Sequence, residues 1–178
     1  FEISQEEHKA IGEVATLLEL ITSSREAGGR VQQEMQQYLQ KFPIISKVLS
    51  AWAVSSLSVR NRVPFESGFF DILVIDEASQ CDIASALPLL YRAKNTVIIG
   101  DPNQLKHISG INVRSDKLLM DQFGIIEGSV IWSYSKNSLW DLASKLCPPQ
   151  NLIMLRDHHR SRKEIINFSN KHFYDGQL

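Results

Sequence analysis

Three short polar clusters carry the residue types that handle phosphate, magnesium and water. The first is Asp76-Glu77, which ends the apolar run Phe70-Asp71-Ile72-Leu73-Val74-Ile75. Two adjacent carboxylates at such a place are costly without a cation or a hydrogen-bonding partner. Magnesium suits the first of them. It takes one or two protein carboxylates, keeps several waters and completes its shell with phosphate oxygens. Glu77 would then face the water that attacks a terminal phosphate, orient it and accept its proton. The same pair also suits a helix N-terminus, where acidic side chains complement the dipole.

The second cluster, Gly100-Asp101-Pro102-Asn103-Gln104-Leu105, follows the apolar run Thr96-Val97-Ile98-Ile99. Glycine permits close backbone approach and proline fixes the turn. The neutral amide of Gln104 can bond a phosphate oxygen and a water, as a sensor of the terminal phosphate must. An ordinary strand-to-helix turn uses the same residue types. The third cluster is Leu155-Arg156-Asp157-His158-His159-Arg160-Ser161. The Arg160 guanidinium could neutralise charge that develops on a transferred phosphate; a surface ion pair is the alternative. His158 and His159 have no cysteine or acidic cluster at ligand spacing, which argues against a metal centre there.

The elements that must position these clusters follow from hydrophobic pattern. Short apolar runs without alternation, at 70–75, 96–99 and 152–155, predict strands buried on both faces. Helical spacing predicts helices at 83–91, 138–146 and 162–173, and residues 110–128 read as a long surface loop with some helix. Strands alternating with helices predict an α/β fold with a parallel sheet, whose ligands sit at the carboxyl ends of strands. Each polar cluster lies at or shortly after such an end. Upstream, residues 5–20 and 31–42 have helical spacing around Gly28-Gly29, and Ser4 with Glu7 fits a capping box. This N-terminal helical hairpin reads as a solvated appendage or as a functional arm. Trp52-Ala53-Val54-Ser55-Ser56-Leu57 is a further strand candidate, in which Trp52 suits core packing better than base stacking.

Composition excludes several classes. Hydrophobic residues make up 43% and charged residues 22% of the 178, as in a globular domain. The net charge of −1 supplies no overall basic field, which leaves a local basic groove open. The two cysteines, Cys81 and Cys147, read as free thiols of a cytoplasmic protein rather than a disulfide framework. No apolar run reaches the roughly 20 residues of a membrane span, and no signal peptide is evident. The chain reads as a piece excised from a longer protein.

Taken in order, the clusters resemble the superfamily 1 helicases, in the group of the nonsense-mediated-decay RNA helicases and the replication helicase-nucleases. Asp76-Glu77-Ala78-Ser79-Gln80 matches that group's second motif and residues 100–105 its third. His158-His159-Arg160 matches a motif usually written Gln-Tyr-Arg or His-Tyr-Arg. Phe173-Tyr174-Asp175-Gly176-Gln177-Leu178 fits the aromatic-Tyr-x-Gly-x-Leu segment that follows. The resemblance spans residues 52–178. It implies a partial RecA-like P-loop NTPase fold, a three-layer parallel sheet. Residues 1–42 would be the tail of an insertion, 43–155 the C-terminal half of the first motor domain and 156–178 the start of the second.

It further implies that Asp76 holds Mg2+, Glu77 activates water, Gln104 senses the terminal phosphate of ATP and Arg160 is an arginine finger. Gly100 and Asp101 would line the nucleotide. Ser55 and Ser56, a pair also common in turns, lie where the group touches the nucleic-acid backbone, and Lys106 and His107 follow the third motif either toward the channel for single-stranded DNA or RNA or in a solvated loop. No glycine of this chain is followed by lysine. The Gly-Lys-Ser/Thr phosphate cradle and the later motifs would therefore come from the rest of the parent chain. A degenerate motor fold that only binds nucleic acid or protein is the alternative, and an unrelated nucleotide-binding α/β domain a third.

Overall fold

The computed structural model describes residues 3–26, 28–125 and 130–178. They fall into two compact units that divide between residues 70 and 71.

In the first unit, α1 (Gln5–Glu26) and α2 (Gln32–Val48) form the expected hairpin. Ser4 and Glu7 make the reciprocal cap: the Glu7 amide donates to the Ser4 hydroxyl at 3.3 Å, and the Ser4 amide to the Glu7 carboxylate at 2.8 Å. Gly28 turns the chain at φ +73°. Ala10, Val14 and Ile21 of α1 and Met35, Tyr38, Phe42 and Ile45 of α2 are buried. Lys41 Nζ meets Glu13 across the pair at 2.6 Å. The hairpin thus has an apolar core of its own and is solvated only on its outer faces. Its second helix does not stop at Phe42; it runs through Pro43. A proline inside a helix costs about 3 kcal/mol. Phe42 and Ile45, both fully buried, offset it, since burying one such side chain is worth about 1.5–3 kcal/mol.

The expected strand at 52–57 is absent. The chain is irregular to Ser55 and then makes a 3-10 turn, Ser56–Asn61. Aromatic packing fixes this path. Trp52 lies 4.5 Å from Phe42 between ring centroids, Phe69 lies 5.7 Å away, and the Trp52 indole donates to the Leu49 carbonyl at 2.6 Å. Trp52 is therefore a packing residue, as its sequence setting suggests.

The second unit starts with a strand–helix–strand module: β1 (Phe70–Ile75), α3 (Ile83–Tyr91) and β2 (Ala93–Ile98). The two strands are parallel neighbours. At their carboxyl ends the Ile99 amide donates to the Ile75 carbonyl and the Ala78 amide to the Ile99 carbonyl, both at 2.8 Å. Next come α4 (Val113–Gln122), α5 (Leu139–Leu146) and α6 (Lys163–Phe173). Asp82, Asn112 and Ser138 cap α3, α4 and α5, and Ser138 completes a capping box with Asp141. The loop expected at 110–128 therefore contains a full helix. Its positions 126–129 lie outside the described residues.

Two expectations about the sheet fail. Residues 152–155 follow a 3-10 turn, Pro149–Asn151, and pair with no strand; Ile153 is 77% exposed and Leu155 78%. The strands that do form are not covered on both faces either, since Ile72 is 63% exposed and Val74 56%. An apolar run becomes a buried strand only if neighbours supply hydrogen bonds along its edges and side chains on its faces. Among the described residues the sheet has two strands, so those neighbours are not there.

A buried carboxylate ties α4 to the segment before α5. Asp116 is 5% exposed. One oxygen accepts from the hydroxyls of Ser133 at 2.6 Å and Ser135 at 2.7 Å and from the Ser135 amide at 3.0 Å. Burial pushes its pKa up, but these bonds outweigh burial and hold it below the ordinary value. Its contribution to stability is therefore complete above the unfolded-chain pKa of about 3.9. It is lost as pH falls through the lower folded value. Asp116→Ala should destabilise the unit by about 1–3 kcal/mol at neutral pH, because three donors lose their acceptor. Urea melts of both proteins at pH 7 and at pH 3 check this, with the gap expected to shrink at the lower pH.

Candidate active site

β1 delivers Asp76 and Glu77 to solvent at its carboxyl end. The Glu77 amide donates to Asp76 Oδ1 at 2.9 Å. Glu77 itself sits at φ +53°, the left-handed region. For a residue other than glycine that conformation costs on the order of 1–3 kcal/mol and is commonest at functional sites. The turn is closed by the Gln80 amide on the Glu77 carbonyl at 2.8 Å, and the Gln80 side chain reaches Glu77 Oε2 at 3.3 Å. The glutamate is thereby turned off the line of the strand, and nothing in the hydrophobic pattern foretells it.

Ser79, three residues beyond Asp76, joins the two strand-end loops. Its hydroxyl accepts from the Asp101 amide at 2.7 Å and donates to the Asp101 carbonyl at 2.8 Å. The residue is 2% exposed. Its carbonyl accepts from the His107 amide at 3.1 Å. The start of α5 seals the other side, with the Leu139 amide on the Cys81 carbonyl at 2.8 Å and the Trp140 amide on that of Ala78 at 3.2 Å. Gly100 lies inside this junction. A Cβ there would come within 2.9 Å of the Ser79 hydroxyl, 3.0 Å of the Trp140 ring and 3.1 Å of the Ser79 amide. The close approach that the sequence suggests at Gly100 is thus made, at least in part, to Ser79 and Trp140.

Asp101 organises the next loop. Its Oδ1 accepts from the Asn103 amide at 2.9 Å, and its Oδ2 from the Gln104 side-chain amide at 3.0 Å and from the Tyr174 hydroxyl. Gln104 is exposed. Lys106 Nζ meets both oxygens of Asp141 at 3.0 Å. Burial pushes the Asp141 carboxyl up, but the Ser138 amide, Lys106 and the Ser138 hydroxyl bring it below the ordinary value. His107 is half-buried, its Nε2 2.7 Å from the Tyr134 carbonyl and its ring edge-on to Tyr134. Arg160 is exposed in the segment before α6, and no hydrogen bond or ion pair joins it to Asp76, Glu77 or Gln104. Ser55 and Ser56 belong to the first unit. Ser55 starts the 3-10 turn there, and its hydroxyl donates to that of Ser58 at 2.8 Å.

Strand-end loops carrying Asp76-Glu77 on one side and Asp101 to Gln104 on the next thus meet through one buried serine. Sequence reasoning missed Ser79, Trp140 and Tyr174 as members of this cluster. Ser79 and Tyr174 do stand inside motif strings, which was the available signal; Trp140 had none. The donor set fits magnesium. Asp76 is an exposed carboxylate with only one oxygen engaged by protein, and magnesium needs one or two such ligands rather than a cage. Among the described residues no three His, Cys, Asp or Glu side chains converge on one point.

This geometry is that of an α/β protein whose polar loops stand at the carboxyl ends of parallel strands, where such sheets bind ligands. Residues 2–108, more than half of the chain, match the family model described as the AAA domain. The chain belongs to that family, in superfamily 1 of the helicases. It is 31% identical over 164 residues to the uncharacterized ATP-dependent helicase MG140 of Mycoplasma genitalium, an alignment of 90% of this chain and 14% of that protein. It is 29% identical over 141 residues to the probable helicase MAGATAMA 3 of Arabidopsis thaliana, covering 79% and 14% respectively. With helicase SEN1 of Saccharomyces cerevisiae it shares 29% over 110 residues, 61% of this chain and 4% of SEN1. The chain therefore spans a small part of the length of these relatives. Among the described residues no helix is long and apolar enough to cross a membrane.

The packing at Gly100 is directly testable. Gly100→Ala should destabilise the second unit by about 1–3 kcal/mol, the usual cost of overpacking a closed junction. The chemical denaturation midpoint reads the change, and an unchanged midpoint would show that Ser79 and Trp140 yield freely.

Proposed function

We propose that this chain supplies the magnesium- and water-handling half of an ATP-hydrolysing site in a cytoplasmic superfamily 1 helicase or translocase that moves on single-stranded DNA or RNA. The observation that carries this reading is the Ser79–Asp101 clasp, which fixes Asp76-Glu77 and Gln104 on the ends of adjacent parallel strands. That is where an α/β sheet binds its ligand. The names of the relatives, ATP-dependent helicase among them, support the same class.

In this reading Asp76 holds the magnesium ion, which when bound neutralises charge on the phosphates. Glu77 orients the attacking water and takes its proton. Gly100, Asp101 and Gln104 line the terminal phosphate, with the Gln104 amide exchanging Asp101 for a phosphate oxygen. Arg160 acts as an arginine finger after a movement that brings it to the nucleotide. Residues 43–155 then belong to the first motor domain, 156–178 to the second and 1–42 to an insertion. The rest of the parent chain supplies the Gly-Lys phosphate cradle and the later motifs. Ser55, Ser56 and Lys106 touch the nucleic-acid backbone, Lys106 by leaving Asp141 for a phosphate.

Glu77→Gln in the full-length protein tests the core of this reading. The amide keeps the shape but cannot accept the proton. Nucleic-acid-stimulated ATP turnover should fall by about 100-fold or more while ATP still binds. Undiminished turnover would reject the assignment, whereas a wild-type protein without turnover would favour a non-catalytic binding module on a motor fold.

A further inference from the structure

The end of α6 reaches back to the loop that carries Gln104. The Tyr174 hydroxyl donates to Asp101 Oδ2, the same oxygen that accepts from the Gln104 amide at 3.0 Å. A second bond runs beside it, from the Asn103 side-chain amide to the Phe173 carbonyl at 2.8 Å. The tail after α6 is itself fastened. The Leu178 amide donates to the Asn170 side chain at 2.9 Å, and Asp175 and Gly176 turn the chain at φ +51° and +73°. Tyr174 is thus held at a built turn rather than on a free end.

We propose that Tyr174 is a positioning residue for Gln104, acting through the shared Asp101 carboxylate and through its own side-chain hydrogen bond with Gln104. The inference rests on the role given above to Gln104 at the terminal phosphate. One carboxylate oxygen is held by two donors of different kinds. When Gln104 turns toward a phosphate it must release Asp101 Oδ2, and a carboxylate oxygen left without a donor in a half-buried place is costly. Tyr174 keeps that oxygen bonded throughout, so the glutamine can leave and return at low cost while Asp101 stays in one rotamer. Its phenol suits the task. The bond to Asp101, then burial, raise its pKa and outweigh a side-chain hydrogen bond with Gln104 that lowers it, so it keeps the proton that it donates. The residue contacts neither nucleotide nor water in this scheme.

The experiment is a double-mutant cycle in the full-length protein, with Tyr174→Phe, Gln104→Ala and the pair, read as kcat and KM for ATP with nucleic acid present. Phenylalanine keeps the ring and removes only the hydroxyl. Tyr174→Phe should lower kcat by about tenfold, the scale of one hydrogen bond to a charged group. KM should change less than about twofold, because ground-state binding is not what the hydroxyl sets. In the Gln104→Ala background the Tyr174→Phe substitution should have no further effect on kcat, since residues acting through one group are not additive. Additive losses, or an unchanged kcat in Tyr174→Phe, overturn the inference while leaving the reading of Gln104 intact. A Gln104→Ala protein with full turnover overturns both. Should Tyr174→Phe unfold the protein, Asn103→Ala serves in its place, because it removes the second tie between this loop and the end of α6. It is expected to lower kcat in the wild-type background only, and a loss of equal size in the Gln104→Ala background would overturn the inference.

Discussion

A two-way hydrogen bond between one buried hydroxyl and one peptide unit holds the candidate site together. Ser79 gives its proton to the Asp101 carbonyl and takes one from the Asp101 amide. A hydroxyl can do both at once because it carries a donor and two lone pairs. Everything polar that this half of the site offers hangs from that junction. Glu77 lies two residues to one side of the serine and Gln104 three residues beyond the aspartate. Gly100 must lack a side chain for the contact to close, and the first turn of α5 packs down to exclude water from it. Buried and fully satisfied, such a bond is stiff. It sets the spacing of two loops whose tips are free to meet a ligand.

The division of labour among the carboxylates follows from their surroundings. Asp116 and Asp141 are wrapped by donors and held as anions in structural posts, one tying α4 and the other capping α5. Asp101 is intermediate: it braces its own loop through Asn103 and shares its other oxygen between Gln104 and Tyr174. Asp76 and Glu77 stand in solvent with few protein partners. A carboxylate surrounded by protein donors has little left to give a metal or a water. The exposed pair has that capacity, and the structure around it is built from the others.

Much of the module was legible in the residues. The bounds of α3, the capping of α1 by Ser4 and Glu7 and the two strand ends all follow from local pattern, because caps and helical periodicity are local effects. The failures share a cause. Residues 152–155 are as apolar as β1, but a strand is a relation between segments, and no segment among those described pairs with this one. The strand proposed at 52–57 lost to Phe42, whose ring captures Trp52 from the helix just before it. Pro43 reads locally as a stop, yet burial on either side of it carries the helix onward. For the site, motif strings located Asp76, Glu77, Gln104 and Arg160 as candidates. They did not disclose that Ser79 binds the second loop, nor that Lys106 already has a partner in Asp141, because side-chain pairing across dozens of residues leaves no mark in either segment alone.

The left-handed backbone at Glu77 sets folding and chemistry at odds in one residue. Glycine would relax that turn, and asparagine would sit there with less strain, yet neither carries a carboxylate. A screen that selects for stability alone would drift toward those residues and discard the acid. A screen that selects for turnover would keep the glutamate and accept a less stable loop. Position 77 is therefore a place where the two kinds of selection should give opposite answers, and where thermal tolerance is a poor guide to whether the protein works.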